Sequence, residues 1–179
     1  PLYIEENFTE TLRHKLRKGE LDAIIIALPF HEPDVLTRPL YDETFSLITP
    51  KDHPLVAKGE VDSTELNELS LLLLGEGHCF RDQVLEACPS INQSFHDQHR
   101  VTEGSSLETI RMMVASGLGT SVLPKSAIEG HPTQGMVEVL PFKAPQPQRT
   151  VALGWRASFP RPQAIDALVN AIIKCHGSN

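Results

Sequence analysis

What this chain lacks narrows its possible roles before any motif is read. No apolar run approaches the ~20 residues that a membrane-spanning helix needs, and no signal-peptide pattern opens the chain, so no membrane partner is expected. No segment is rich enough in Lys and Arg to track a phosphate backbone, and the formal net charge is −7. The chain is therefore not expected to grip DNA by itself. Cysteine is scarce and odd in number, three in 179 residues. That argues against a secreted disulfide scaffold and for a reducing compartment, the cytoplasm. Aromatics make up only 6%, aliphatics are plentiful, and there is neither an internal repeat nor a low-complexity tract. The length suffices for one domain or two small ones.

What is present alternates between helix and strand. Phe8, Leu12 and Leu16 repeat at helical spacing and Gly19 is a natural C-cap, so residues 8–18 are expected to be a helix. Leu21 to Leu28 reads as a buried strand, with short strands at Val35 to Leu40 and Thr44 to Thr49. Asp62-Ser63-Thr64-Glu65-Leu66 opens a short capped helix. Ser105-x-x-Glu108 reads as a capping box on a helix ending at Gly117. Thr120 to Leu123 and Val137 to Leu140 read as strands around a turn at Lys125 to Glu129. The Pro-rich Lys143 to Gln148 reads as a crossover, followed by a strand at Val151 to Arg156 and an amphipathic helix from Pro162 to Cys175. Such alternation implies parallel sheets covered by helices.

The most informative stretch runs from Gly75 to Cys88. The apolar run Leu71 to Leu74 ends at a glycine turn, and Phe80 to Ala87 holds good helix formers until Pro89 stops them. Cys79 therefore falls at a helix N-terminus, where orphan amides and the helix dipole favour a thiolate. His78 and Arg81 would add positive potential of the kind that activates cysteines. Cys88 lies nine positions on, at the opposite face and about 13 Å along the axis. A disulfide needs Cα atoms within about 7 Å, so these two thiols can bond only if the helix comes apart. The plainer reading is that buried free cysteines are small apolar fillers, and both readings remain open on spacing alone.

Gly77-His78-Cys79-Phe80-Arg81-Asp82-Gln83 followed by Cys88 closely resembles the sensing segment of the peroxide-responsive LysR-type transcription regulators. Further stretches resemble LysR-type effector domains in general: Leu16 to Ile25, Pro39-Leu40-Tyr41-Asp42-Glu43, Asp52-His53-Pro54-Leu55, Ser106 to Gly119, and Leu123-Pro124. The resemblance implies an α/β fold of two periplasmic-binding-protein-like (type II) subdomains, with mainly parallel sheets flanked by helices. Subdomain I would be residues 1–45 plus 149–179, and subdomain II, carrying the switch, residues 46–148. It also implies a further strand and helix ahead of the position matching Pro1, which this sequence does not hold, and a separate N-terminal helix-turn-helix DNA-binding domain.

The resemblance implies a role for each of several residues. Hydrogen peroxide would oxidise Cys79, the peroxidatic thiol, to a sulfenic acid. Cys88, the resolving thiol, would then close an intramolecular disulfide through local unfolding that costs little. Thr9, His78, Arg81, Asp82 and Arg149 would belong to the peroxide pocket. Arg81 would either hold the helix start or pair with Asp82, and Asp82 could equally serve as a first-turn cap. Refolding of the segment would alter the geometry of a homodimer, assembled into tetramers, and activate antioxidant genes. A glutaredoxin- or glutathione-type reductant would reset the bond. No cofactor, metal or enzymatic turnover is expected, and Cys175 reads as an incidental thiol.

Two other readings compete. In one, the chain is a metabolite-binding LysR-type effector domain with incidental cysteines, its ligand near Ser105, Ser106 and Leu107. In the other, Cys79, Cys88, His96 and His99 form a thiol peroxidase or zinc site. The gap between the cysteines is wide for structural zinc, and a large rearrangement suits a signalling device better than continuous turnover.

Overall fold

The computed structural model describes residues 2–89, 91, 101–129 and 135–176. The chain divides into two compact units, residues 1–42 with 149–179 and residues 43–148.

In the first unit, helix α1 (Thr9–Lys18) ends where Gly19 turns left-handed, at φ 80°, and returns its amide to the Leu16 carbonyl. Only a residue without Cβ takes that conformation cheaply. Leu16 is fully buried against Ile24, Ile26, Phe30 and Ala152. Strand β1 (Ala23–Ala27) runs antiparallel to the last strand of the chain, in the register Ala23 to Trp155 and Ile25 to Leu153. The C-terminal helix (Pro162–His176) buries Ile165 and Val169 against Leu40, Val151 and Leu153.

Strand β2 (Val35–Pro50) is one continuous 16-residue element, where two short strands were expected. Its polar middle stays extended because its carboxylates find partners in place. Asp42 accepts from the Thr150 hydroxyl at 2.6 Å, and the buried Glu43 accepts from the Ser126 amide at 2.9 Å.

The second unit is built around β3 (Leu71–Leu74), whose four leucines are all buried. Helix α2 (Cys79–Ala87) follows it, and β4 (Val101–Gly104) pairs with it in parallel. Helix α3 (Leu107–Ala115), β5 (Ser121–Pro124) and β6 (Val137–Pro141) complete the unit. β5 and β6 both lie antiparallel to the second half of β2. The final strand, β7 (Gln148–Arg156), returns to the first unit and leads into α4 (Pro162–His176). The core gathers Phe45, Leu47, Leu66, Leu71 to Leu74, Phe80, Val84, Ile110 and Leu123.

The class is α/β, but the sheets are mixed and not mainly parallel. Antiparallel ladders join β1 to β7 and β2 to both β5 and β6. These antiparallel partners are far apart in the sequence, and helix–strand alternation does not reveal their direction; only β3 and β4, joined through α2, pair in parallel among the ladders described. Two local assignments also shift. Residues Ser63–Glu68 form a 3₁₀ turn capped by Asp62 with a reciprocal Glu65 bond. The cap of α3 is Ser106, whose hydroxyl accepts from the Thr109 amide at 3.1 Å, and not Ser105.

Candidate functional site

The site is local in origin. Leu74 ends β3 at the sheet edge, and the Gly75 amide donates to the Gly104 carbonyl of β4 at 3.2 Å. Gly77 takes φ 89°, which lets the chain turn sharply into α2. His78 holds the N-cap position in extended backbone, and Cys79 is the first helical residue. The Cys79 thiol is exposed. Phe80 points inward, edge-on to Phe45 at 5.5 Å between ring centroids, and Asp82 is exposed in the first turn.

The far end of the helix has the opposite character. Cys88 is the C-cap, its amide donating to the Val84 carbonyl at 2.9 Å, and its side chain is 0% exposed. Burial pushes its thiol up to about 12. Phe80, Val84, Cys88 and Ile91 fall at helical spacing and are all buried, so one face of the segment is part of the core. Nine residues at about 1.5 Å and 100° each leave Cys79 roughly 13 Å away on the other side. All three cysteines are free.

Arg81 looks away from the helix surface. Its guanidinium donates to the Leu74 carbonyl at 3.1 Å and pairs with the Glu103 carboxylate of β4. These bonds tie the first turn of α2 to the end of β3 and to β4. Glu103 was missed by sequence reasoning: it is 22 residues away, and only the parallel register that sets it beside Leu73 brings it near. His78, Cys79, Arg81 and Asp82 share one turn. Thr9, half-buried at the start of α1, and Arg149, half-buried in β7, belong to the first unit and are carried as candidates by the resemblance alone. Cys175 is exposed in the last turn of α4.

The competing sites fare differently. The Ser106 hydroxyl, which would greet a ligand at the start of α3, accepts from the Thr109 amide and lies 3.0 Å from its hydroxyl. Among the described residues, no three of His, Cys, Asp and Glu gather closely enough to hold a metal ion. His96 and His99 lie outside the described residues.

Comparison with known proteins bears directly on this arrangement. Residues 1–174 match the LysR substrate binding domain. A probable hydrogen peroxide-inducible genes activator of Mycobacterium avium is 39% identical over 171 residues, covering 96% of this chain and 54% of that protein. The chain thus spans about half the length of the curated relatives it matches. The reduced form of the OxyR regulatory domain from Pseudomonas aeruginosa superposes with a TM-score of 0.86 at 65% identity, over 98% of this chain and 83% of that one. A hydrogen-peroxide-bound mutant of OxyR from Corynebacterium glutamicum superposes at 0.89 with 30% identity, over 98% of this chain and 55% of that one. Among the described residues, no helix is long and apolar enough to cross a membrane.

Proposed function

The chain belongs to the LysR substrate binding domain family, among the OxyR regulatory domains, and on that premise we propose that it is a peroxide-operated redox switch. One observation carries the reading: a single short helix presents an exposed thiol at its start and buries a second at its end.

The chemistry runs in two steps. The Cys79 thiolate attacks one oxygen of hydrogen peroxide, the O–O bond breaks, and hydroxide leaves as the sulfur becomes a sulfenic acid. In this reading His78, at the N-cap, and Asp82, in the first turn, are the groups that would handle the proton. The Cys88 sulfur then attacks the Cys79 sulfenic sulfur, the disulfide forms, and water departs. Two electrons have passed from the thiol pair to the peroxide.

Cys88 cannot take the second step in place. Its thiol is held protonated by burial, and the thiolate is the nucleophile. The C-terminal half of α2 must therefore leave the core before the bond can close. Val84 and Ile91 each contribute about 1.5–3 kcal/mol of burial, so freeing both costs about 3–6 kcal/mol. That cost comes from core packing. It makes resolution a rare, gated event, and the disulfide then traps the opened form. Reversal would come by thiol–disulfide exchange with a glutaredoxin- or glutathione-type donor.

The whole regulator's properties extend this reading. They are a cytoplasmic activator of antioxidant genes, DNA contact through an N-terminal helix-turn-helix domain, and homodimers assembled into tetramers whose geometry follows the 79–88 segment.

Brief exposure to micromolar peroxide followed by peptide mapping tests the switch. A Cys79–Cys88 linkage is expected. Cys79→Ser should abolish it, and Cys88→Ser should leave a sulfenic acid trapped by dimedone. Oxidation of Cys175 with Cys79 untouched would overturn the assignment. A peroxide-inert chain whose melting temperature rises with a metabolite would favour the effector-domain reading.

A further inference from the structure

Three elements of the second unit meet at one guanidinium. Arg81 lies in the first turn of α2, two residues beyond Cys79. It donates to the Leu74 carbonyl at the end of β3 and pairs with Glu103 near the end of β4. Its side chain is 12% exposed and that of Glu103 50%. The carboxylate lies over the turn itself: a Cβ placed on Gly75 would sit 3.4 Å from Glu103 Oε2. Backbone and side chain therefore close the same turn, since the Gly75 amide also bonds Gly104. The apolar face of the segment begins at Phe80 and runs toward Ile91. The polar ties act at the other end, beside the reactive thiol.

We propose that the Arg81–Glu103 pair, closed on the Leu74 carbonyl, is a latch that holds the first turn of α2 shut and slows resolution of the Cys79 sulfenic acid by Cys88. The inference rests on the switch reading above and makes Glu103 a positioning residue within it. Peroxide needs only the exposed Cys79 thiol, which the latch leaves open. Resolution needs the roughly 13 Å between the cysteines to vanish. While Arg81 is pinned, Cys79 is held two residues from a fixed point, and the other end of the segment must cover the distance alone. Releasing the pair removes the polar tie on the first turn and leaves the packing of Phe80 to hold it alone. The two chemical steps thus differ in their dependence on Glu103. Glu103 is half exposed, so the latch is also open to screening by salt.

The experiment follows the two steps separately in the intact chain, by dimedone trapping for sulfenic acid and by peptide mapping for the disulfide. Glu103→Gln should leave the rate of sulfenic acid formation unchanged and speed its resolution about three- to tenfold. Raising the salt concentration should speed resolution in the wild type and not in Glu103→Gln. The double reversal R81E/E103R should resolve more slowly than E103R alone, a rescue that loss of packing would not produce. Equal resolution rates in wild type and Glu103→Gln, or a change of both steps by one factor, would overturn the latch. If the wild type forms no Cys79–Cys88 bond at all, the switch reading falls and the latch with it. A normal wild-type bond with an indifferent Glu103→Gln removes the latch alone. The salt comparison in the wild type requires no variant to fold.

Discussion

The two ends of α2 are made of similar residues and behave as opposites. At the start, Cys79 is exposed and follows a glycine turn, and two residues on Arg81 ties the same turn to Leu74 and Glu103. At the end, Cys88 is sealed in the core beside Val84 and Ile91, and its thiol is pushed up to about 12. One thiol is open to solvent, and the other is closed off by the core packed around it. The exposure of each thiol follows from which end of one short helix it occupies.

The largest expected effect is a contrast in labelling. Native protein treated with iodoacetamide should alkylate Cys79 and Cys175 and spare Cys88, with all three reacting after denaturation. Rapid native labelling of Cys88 would abolish the difference between the two ends. The next effect lies at alkaline pH. The folded Cys88 thiol titrates near 12 against its ordinary 9.0, so above pH 9 the folded state binds more protons than the unfolded one. Its contribution to stability is present in full below pH 9 and is lost as pH rises toward 12. Denaturant unfolding across that window should fall more steeply for the wild type than for Cys88→Ala.

A smaller effect separates packing from chemistry. Val84→Ala removes buried methyl groups and should destabilise the chain by about 2 kcal/mol. If opening exposes Val84, disulfide formation should quicken by about tenfold or more, while sulfenic acid forms at the wild-type rate. The smallest effect lies outside the helix, as a control. His53 caps the Pro54–Lys58 turn, its Nδ1 accepting from the Leu55 amide at 3.3 Å. Burial lowers its pKa from the usual 6.5. The folded state then binds fewer protons, so the contribution is present above pH 6.5 and fades as pH falls through the lowered value. Acid melts of wild type and His53→Ala should converge below that range, leaving the reactivity of both cysteines alone.

Much of the candidate site was legible because it is built from local signals. The glycines before Cys79, the helix formers from Phe80 to Ala87, and Pro89 after Cys88 act within a few residues, and the helix appears where they place it. The caps of α1 and of the Asp62 turn were readable for the same reason. The capping box of α3 slipped by one residue because Ser105 and Ser106 offer the same hydroxyl, and only backbone direction chooses between them. The continuity of β2 through Tyr41, Asp42 and Glu43 could not be read, since those residues look like a break until Thr150 and Ser126 supply their partners.

By itself, the sequence determined that two cysteines share one short helix and that they cannot bond while it is intact. Helical geometry and the turn residues on either side suffice for that conclusion. The tertiary structure alone decided which thiol is sealed, how firmly the segment is anchored, and what Arg81 grips. Burial and ion pairing depend on residues brought together from far along the chain: Phe45 against Phe80, and Glu103 set beside Leu73 by a parallel register. No pattern within the segment encodes those partners.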